Sequence, residues 1–301
     1  MNIVITGATG FIGSQLCAAL ANTNHVVSTI SRSTNHDYGT TLRNCDVIIH
    51  LAGRVHVFND PEGDSESAYI SANTTATINL ARVAVSYGVK RFIFLSSVKV
   101  NGESTPLNMS FAPESTPHPI DAYGRSKMAA ENGLLEIANS SALEVVIIRP
   151  PLVYGPGVRA NFLELMKLVH RQIPLPLGSV RNKRSFVGSD NLISLIVACL
   201  DHPAAANQVF LVSDNEDLST PDLIRLIAQA QNHRSRLFPF PQKLLLLGAR
   251  ILRREQAYLR LCGSLQVDIS KTMHLLGWAP VATPLEMLAK TVGHEVSGSR
   301  D

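Results

Sequence analysis

The chain has little cysteine, few aromatic residues and almost no excess charge. Its four cysteines, Cys17, Cys45, Cys199 and Cys262, are scattered over 301 residues without metal-ligand spacing. That excludes a zinc module or a disulfide framework and leaves the thiols as small, buried apolar groups. Aromatic residues make up 6% of the chain, the net charge is +3, and no basic run is interleaved with aromatics. No nucleic-acid partner is expected from such a surface. The apolar run Leu244–Leu247 is far too short to span a bilayer, so no membrane insertion is expected. Met1 almost begins the first apolar run, so no leader is expected ahead of it and a reduced, cytoplasmic setting is anticipated. What is there, 45% hydrophobic and 17% charged residues, is the composition of a soluble globular chain of one large domain or two unequal ones.

The first thirteen residues, MNIVITGATGFIG, organise the rest. Ile3, Val4 and Ile5 suit a strand buried on both faces. Gly7, Gly10 and Gly13 follow at three-residue spacing, and Phe11, Ile12, Leu16 and Leu20 recur with helical periodicity. Strand, glycine turn and helix in that order form the front of a dinucleotide site. Glycines admit the pyrophosphate close to the backbone, and the helix N-terminus offers free N–H groups and a positive dipole end. A second strand over His25–Ile30 ends at Ser31-Arg32-Ser33. An NAD site commonly places an acid there, about 20 residues past the glycines, to hold the ribose hydroxyls. No acid stands there, and Arg32 can fork onto a ribose 2′-phosphate, so NADP is the expected cofactor and NAD the alternative.

Asp46–His50 reads as the next buried strand and runs into Leu51-Ala52-Gly53, small enough for a cofactor to cross the strand end. Arg54 to Ala68 reads as a loop. Tyr69 to Tyr87 is helical, with Asn73 polar among apolar neighbours: a buried structural amide or an active-site one. Arg91–Leu95 is a strand with Ser96-Ser97 at its C-terminal end, where open parallel sheets place their active sites. Thr105 to Pro119 reads as a loop over the site. Asp121 opens a helix to about Asn139, on which Tyr123 and Lys127, four apart, share a face. Leu143–Ile148 is a further strand. Helices are expected at Asn161–His170, Leu192–Leu200, Thr220–Ala230, Lys243–Arg253, Ser270–Leu276 and Pro284–Lys290, and a last sheet strand at Val209–Val212. The fold expected is α/β: a doubly wound parallel (Rossmann) sheet over 1–154 with a return over 184–212. A smaller, mostly helical C-terminal lobe over 155–183 and 213–301 would hold the substrate.

Four signatures, in order, resemble the extended short-chain dehydrogenases/reductases, in particular their nucleotide-sugar epimerase/dehydratase group. They are Thr6-Gly7-Ala8-Thr9-Gly10-Phe11-Ile12-Gly13, the serine Ser97, the pair Tyr123-x-x-x-Lys127, and Arg149-Pro150 through Val153-Tyr154-Gly155-Pro156-Gly157. The resemblance implies Ser97, Tyr123 and Lys127 as catalytic residues. It implies a cofactor site built from Gly7, Thr9, Gly10, Phe11, Ile12, Gly13, Arg32, Leu51, Ala52, Gly53, Asn73, Pro150 and Val153, with Tyr123 and Lys127. Asp46 and Val47 resemble the adenine-contacting pair. Arg184 resembles the arginine that holds a nucleotide-sugar diphosphate, with Arg260 a second partner, and Ser97, Lys99 and Asn161 are further substrate candidates. Trp278, in Leu276-Gly277-Trp278, is expected to pack rather than bind. A homodimer through the helices starting near Tyr69 and Asp121 is expected.

The chemistry implied is hydride transfer at a sugar carbon with a proton moving at its oxygen. A phenol titrates near 10 in water, and Lys127 with the positive nicotinamide would pull Tyr123 toward working pH. Dehydratases of the group carry Asp-Glu directly after the catalytic residue; Val98-Lys99 stands there, so dehydration is not expected. Arg32 tilts the expectation toward reduction with NADPH, and the overall pattern resembles enzymes of bacterial surface-polysaccharide synthesis, which implies a UDP-4-keto-6-deoxy-N-acetylhexosamine as the substrate. UDP-hexose 4-epimerisation is the alternative, and a non-catalytic NADP sensor on the same fold a more remote one.

Overall fold

A computed structural model describes residues 1–31, 38–55 and 65–298. The chain opens with β1 (Asn2–Thr6), α1 (Phe11–Ala21), β2 (Val26–Ile30), α2 (Tyr38–Leu42) and β3 (Val47–His50). Helix α3 (Glu66–Tyr69) passes through a π-helical stretch, Ile70–Thr75, into α4 (Ala76–Ser86). Then come β4 (Arg91–Leu95), β5 (Ser110–Phe111), α5 (Ala122–Ser140), β6 (Glu144–Arg149) and β7 (Leu152–Tyr154). The remainder is α6 (Ala160–His170), β8 (Phe186–Gly188), α7 (Ser189–Ala198), β9 (Gln208–Leu211), α8 (Thr220–Ala230), α9 (Gln242–Ile251), α10 (Glu255–Cys262), β10 (Gln266–Val267), α11 (Ser270–Leu276) and α12 (Pro284–Gly298).

Six strands form one parallel sheet in the order β2-β1-β3-β4-β6-β9. Its side chains alternate between two cores. Ile3, Ile5, Val47, Ile49, Ile93, Val146 and Ile148 face one core, which α1, α7 and α11 close with Leu16, Leu20, Leu195, Ile196 and Leu276. Val4, Ile48, Phe92, Phe94, Val145 and Ile147 face the other, which α4 and α5 close with Leu80, Ala84, Ala130 and Leu134. Burial on both faces is why these strands read as continuous apolar runs. A third core lies in the C-terminal lobe, among Phe162 and Met166 of α6, Leu223 and Ile227 of α8, and Met287 and Leu288 of α12. Phe11 packs against both the first and the third core, so the start of α1 ties the two lobes together.

The expected return of 184–212 to the sheet holds only at β9. Phe186–Gly188 pairs instead with Leu152–Tyr154 in a separate two-stranded sheet. The stretch Thr105–Pro119 is not all loop: Ser110–Phe111 pairs in parallel with Gln266–Val267. Helix α10 was not expected. Trp278 packs as anticipated, buried with its indole N–H on Ser194 Oγ at 2.9 Å. Cys45 and Cys199 are buried, and burial pushes their thiols up. Among the described residues no group of His, Cys, Asp and Glu could hold a metal.

Candidate active site

The strand order reverses at β1, with β2 on one side and β3 on the other. The C-terminal ends of β1 and β3 are therefore the crevice where a doubly wound sheet takes its ligand. The glycine turn stands there. Gly7 is left-handed, at φ 72°, and a Cβ on it would lie 2.7 Å from the Ala52 nitrogen. A Cβ on Gly13 would lie 2.1 Å from the Gly7 carbonyl oxygen, so α1 seats directly on the turn. Gly10 starts α1 without a side-chain cap, and the first turn carries no acid. Uncapped N–H groups and an unopposed dipole end are what a pyrophosphate needs. A nicotinamide dinucleotide fits this crevice; Gly7 to Gly13, and Leu51-Ala52-Gly53 across β3, are the residues that would hold it.

A directed chain of hydrogen bonds runs beneath the crevice. The Thr77 hydroxyl donates to the Asn73 carbonyl at 2.7 Å, so it accepts from His50 Nε2 at 2.8 Å. His50 Nδ1 then accepts from the Thr6 hydroxyl at 2.6 Å, which accepts from the Ala52 N–H at 3.3 Å. The glycine-turn strand is thereby fastened to the π-helical stretch. Asn73 lies in that stretch and is fully buried. Its Oδ1 accepts from the Arg54 N–H at 2.6 Å; its Nδ2 donates to the Arg54 carbonyl and to Ser126 Oγ, both at 3.0 Å. Expected both as a cofactor contact and, by the family resemblance, as a structural active-site asparagine, Asn73 spends its amide on protein partners. It is a positioning residue that pins the segment after Gly53 to helix α5.

That helix presents the expected catalytic pair, Tyr123 and Lys127. Asp121 caps α5 by accepting from the Gly124 N–H at 2.7 Å. Lys127 is 3% exposed; its Nζ donates to the Leu95 carbonyl at 2.9 Å and lies 4.5 Å from the centre of the Phe94 ring. A Cβ on Gly53 would stand 3.3 Å from that Nζ, so Lys127 borders the crevice. Tyr123 packs edge-on against Tyr69, with ring centres 6.2 Å apart. Burial pushes its phenol up to about 12, a hydrogen bond with Ser97 pulls it down, and the charge of Asp121 adds to the rise. The phenol thus stands above its free value rather than below it, because loss of water outweighs the Ser97 hydrogen bond. Ser97 follows β4 and caps a short 3₁₀ turn, accepting from the Lys99 N–H at 3.2 Å.

Ser96, its neighbour, points away. It donates to Glu131, which is ion-paired with Arg149 at 2.6 Å; Arg149 also reaches Asn101 Oδ1 at 3.1 Å. Glu131 and Arg149 are 2% and 5% exposed, so the pair is sealed under the site. Nothing in the spacing of these residues announced it.

Three expected site residues are placed elsewhere or otherwise engaged. Asp46 and Val47 lie at the N-terminal end of the sheet, because Val47 pairs with Ile3 and Arg91 at the starts of their strands. Asp46 holds the Asn2 N–H at 2.9 Å and Lys90 at 3.2 Å. The pair is thus at the opposite end from the glycine turn and cannot reach a cofactor there. Lys99 is held by Glu103 at 3.0 Å and Asp121 at 2.5 Å. It is neutralised by protein carboxylates, and Val98 beside it is buried. Arg32 falls outside the described residues. Pro150 is buried, its carbonyl accepting from the Val98 N–H at 2.9 Å, and Val153 lies in β7.

The C-terminal lobe contributes Arg184. Burial pulls its guanidinium down, and Nη1 donates to the Gly263 carbonyl at 3.1 Å. No carboxylate pairs with it among the described residues, so it is a desolvated cation suited to an anion. Asn161, in the first turn of α6, and Arg260, near the end of α10, are exposed.

Residues 3–213 match the NAD dependent epimerase/dehydratase family. The chain belongs to that family. It is 44% identical to a UDP-glucose 4-epimerase of Vibrio cholerae over 96% of this chain and 94% of the relative. It is 25% identical to a UDP-2-acetamido-2,6-beta-L-arabino-hexul-4-ose reductase of Pseudomonas aeruginosa, over 79% of this chain and 59% of that one. Its fold is shared by a UDP-glucuronic acid 4-epimerase from Bacillus cereus, solved in complex with NAD: TM-score 0.79, 23% identity, 99% of both chains. As an enzyme of this family, the chain keeps the serine, tyrosine and lysine of its signatures in one crevice.

Proposed function

We propose that this enzyme is a UDP-hexose 4-epimerase that keeps NAD as a resident cofactor. One observation carries the reading: 44% identity, over nearly the whole of both chains, to a UDP-glucose 4-epimerase. The reductase expected from Arg32 has weaker support, since the 4-keto-sugar reductase relative is more distant and matches over a smaller share of its length. When bound, the dinucleotide supplies a hydride acceptor and donor for C4. The chain's own residues do the rest. Tyr123 takes the O4 proton as a phenolate and gives it back as a phenol; Ser97, beside the phenol at the end of β4, holds the same oxygen in line. Lys127, buried beside Gly53, places a cation at the crevice wall; with the positive nicotinamide of a bound dinucleotide it would oppose the burial that holds the phenol up without cofactor. Arg184 takes the diphosphate. The 3₁₀ turn at Val98-Lys99 offers no acid–base pair for loss of water, so C6 keeps its hydroxyl.

The test is to give the purified protein UDP-glucose with no added cofactor and to follow UDP-galactose by NMR. Interconversion without net NADPH oxidation supports the reading. Stoichiometric NADPH loss with a UDP-4-keto-6-deoxy sugar, and no epimerisation of the intact one, would return the chain to the reductases.

A further inference from the structure

Helices α9 and α10 form a hairpin with no buried residue in either helix. The hairpin is held at its inner edge: Leu245 packs on the lobe core, and Gln242 Nε2 donates to the Ser179 carbonyl at 3.2 Å. Its outer edge is aliphatic. Leu244, Leu247 and Ile251 are spaced i, i+3, i+7, which sets them in one stripe, and Leu252 continues it into the turn. They are 52%, 53%, 74% and 71% exposed, and Ile251 and Leu252 are the two most exposed large apolar side chains of the described residues. Isolated exposed leucines need no explanation, but a continuous aliphatic stripe does.

The charges around the stripe have one sign. Lys243, Arg250, Arg253 and Arg254 flank it, against one acid, Glu255, which Arg250 Nε holds at 2.9 Å. Lys243, Arg253 and Arg254 have no carboxylate partner among the described residues. Four cations in twelve residues stand out in a chain whose net charge is only +3. Protein–protein hot spots favour Trp, Tyr and Arg in packed pockets, whereas this face is a flat aliphatic ridge with basic flanks. That is the composition of a helix lying in the interface of an anionic bilayer: leucines at the headgroup–acyl boundary, lysines and arginines on the phosphates.

We infer that the α9–α10 face docks this enzyme on anionic phospholipid membranes as a peripheral protein. No helix among the described residues is long and apolar enough to cross a membrane, so the attachment is superficial. The hairpin ends at Gly263, whose carbonyl accepts from Arg184 Nη1 at 3.1 Å and from Asn182 Nδ2 at 2.9 Å. Docking on this face sets the Arg184 side of the C-terminal lobe toward the headgroup layer. The inference rests on the surface alone and survives a change of substrate.

The experiment is co-sedimentation of the full chain with vesicles of phosphatidylcholine containing phosphatidylglycerol, and with phosphatidylcholine alone. The protein pellets with the mixed vesicles, and added salt releases it. Leu247→Glu/Ile251→Glu and Arg253→Glu/Arg254→Glu each weaken binding at least about tenfold, while Tm and turnover of a soluble substrate stay unchanged. No pelleting at low salt, or equal pelleting with phosphatidylcholine alone, overturns the inference. So does a dimer, seen by light scattering, that Leu247→Glu/Ile251→Glu dissociates without vesicle binding; the face would then belong to a second copy.

Discussion

Asn73 Nδ2 stands 3.0 Å from Ser126 Oγ, and the same amide holds both backbone groups of Arg54. One buried side chain thus fastens the end of β3 to the helix that carries Tyr123 and Lys127. Asn73→Ala strips partners from three groups, two of them backbone. Unfolding free energy should fall by about 3 kcal/mol, read by urea denaturation. Asn73→Asp keeps the Arg54 N–H bond but loses both donors, so it should recover little of the activity. An Asp variant with wild-type kcat would show that the amide positions nothing.

Tyr123 gives a pH signature. The free phenol of an unfolded chain titrates near 10, and burial raises it to about 12 in the folded protein without cofactor. The folded state therefore holds the proton more tightly. The stability this group contributes is fully present below pH about 10 and is lost as pH climbs through about 12. Tyr123→Phe should flatten that alkaline limb in thermal melts. It should also cut kcat by about a hundredfold or more, the usual share of general acid–base catalysis, while dinucleotide binding persists. Unchanged turnover would remove Tyr123 from the proton path.

Gly13 and Gly10 should differ sharply although they belong to one motif. A Cβ on Gly13 would overlap the Gly7 carbonyl at 2.1 Å, whereas one on Gly10 meets only that oxygen, at 3.1 Å. Gly13→Ala forces α1 off the turn, at a cost of about 1–3 kcal/mol. Dinucleotide affinity, measured by calorimetry, should drop with it. Gly10→Ala should keep the fold and lose affinity only where the methyl intrudes on the ligand's side.

The Glu131–Arg149 pair is buried at both ends. Glu131→Gln or Arg149→Met each leaves a desolvated charge or dipole without its partner, and either should cost about 3–5 kcal/mol. The double variant should cost less than the sum of the singles, and a double-mutant cycle by chemical denaturation reads the coupling.

Much of this was legible in the chain. Burial on both faces made the strands visible as apolar runs, and the turn glycines, Ser97, Tyr123 and Lys127 stood out by residue type and spacing. What was hidden depends on distant pairing. Ser110–Phe111 is ordered by Gln266–Val267, more than a hundred residues away in sequence. Ser96, Glu131 and Arg149 meet only because β4, α5 and β6 pack together. Asp46 matched a motif by type, but strand register sets it at the wrong end of the sheet. Helix α10 spans only the 8 residues Glu255–Cys262, too few turns for an apolar period to mark it. The π-helical stretch is an irregularity within an otherwise helical pattern, and it is what seats Asn73.

Arg184 is the sharpest test of the substrate reading. Its guanidinium is desolvated, held by a carbonyl, and faces no carboxylate among the described residues. A group in that state stabilises the fold little, since burial of an unpaired cation opposes folding. Arg184→Met should therefore leave Tm unchanged or raise it. A charged hydrogen bond to a diphosphate is worth about 1.5–3 kcal/mol, so KM for the UDP-sugar should rise on the order of ten- to a hundredfold while kcat changes little. Inhibition by UDP should weaken by the same factor, because UDP carries the diphosphate without the sugar. A large loss of kcat at unchanged KM would place Arg184 at the reacting carbon, and a fall in Tm would make it a structural cation.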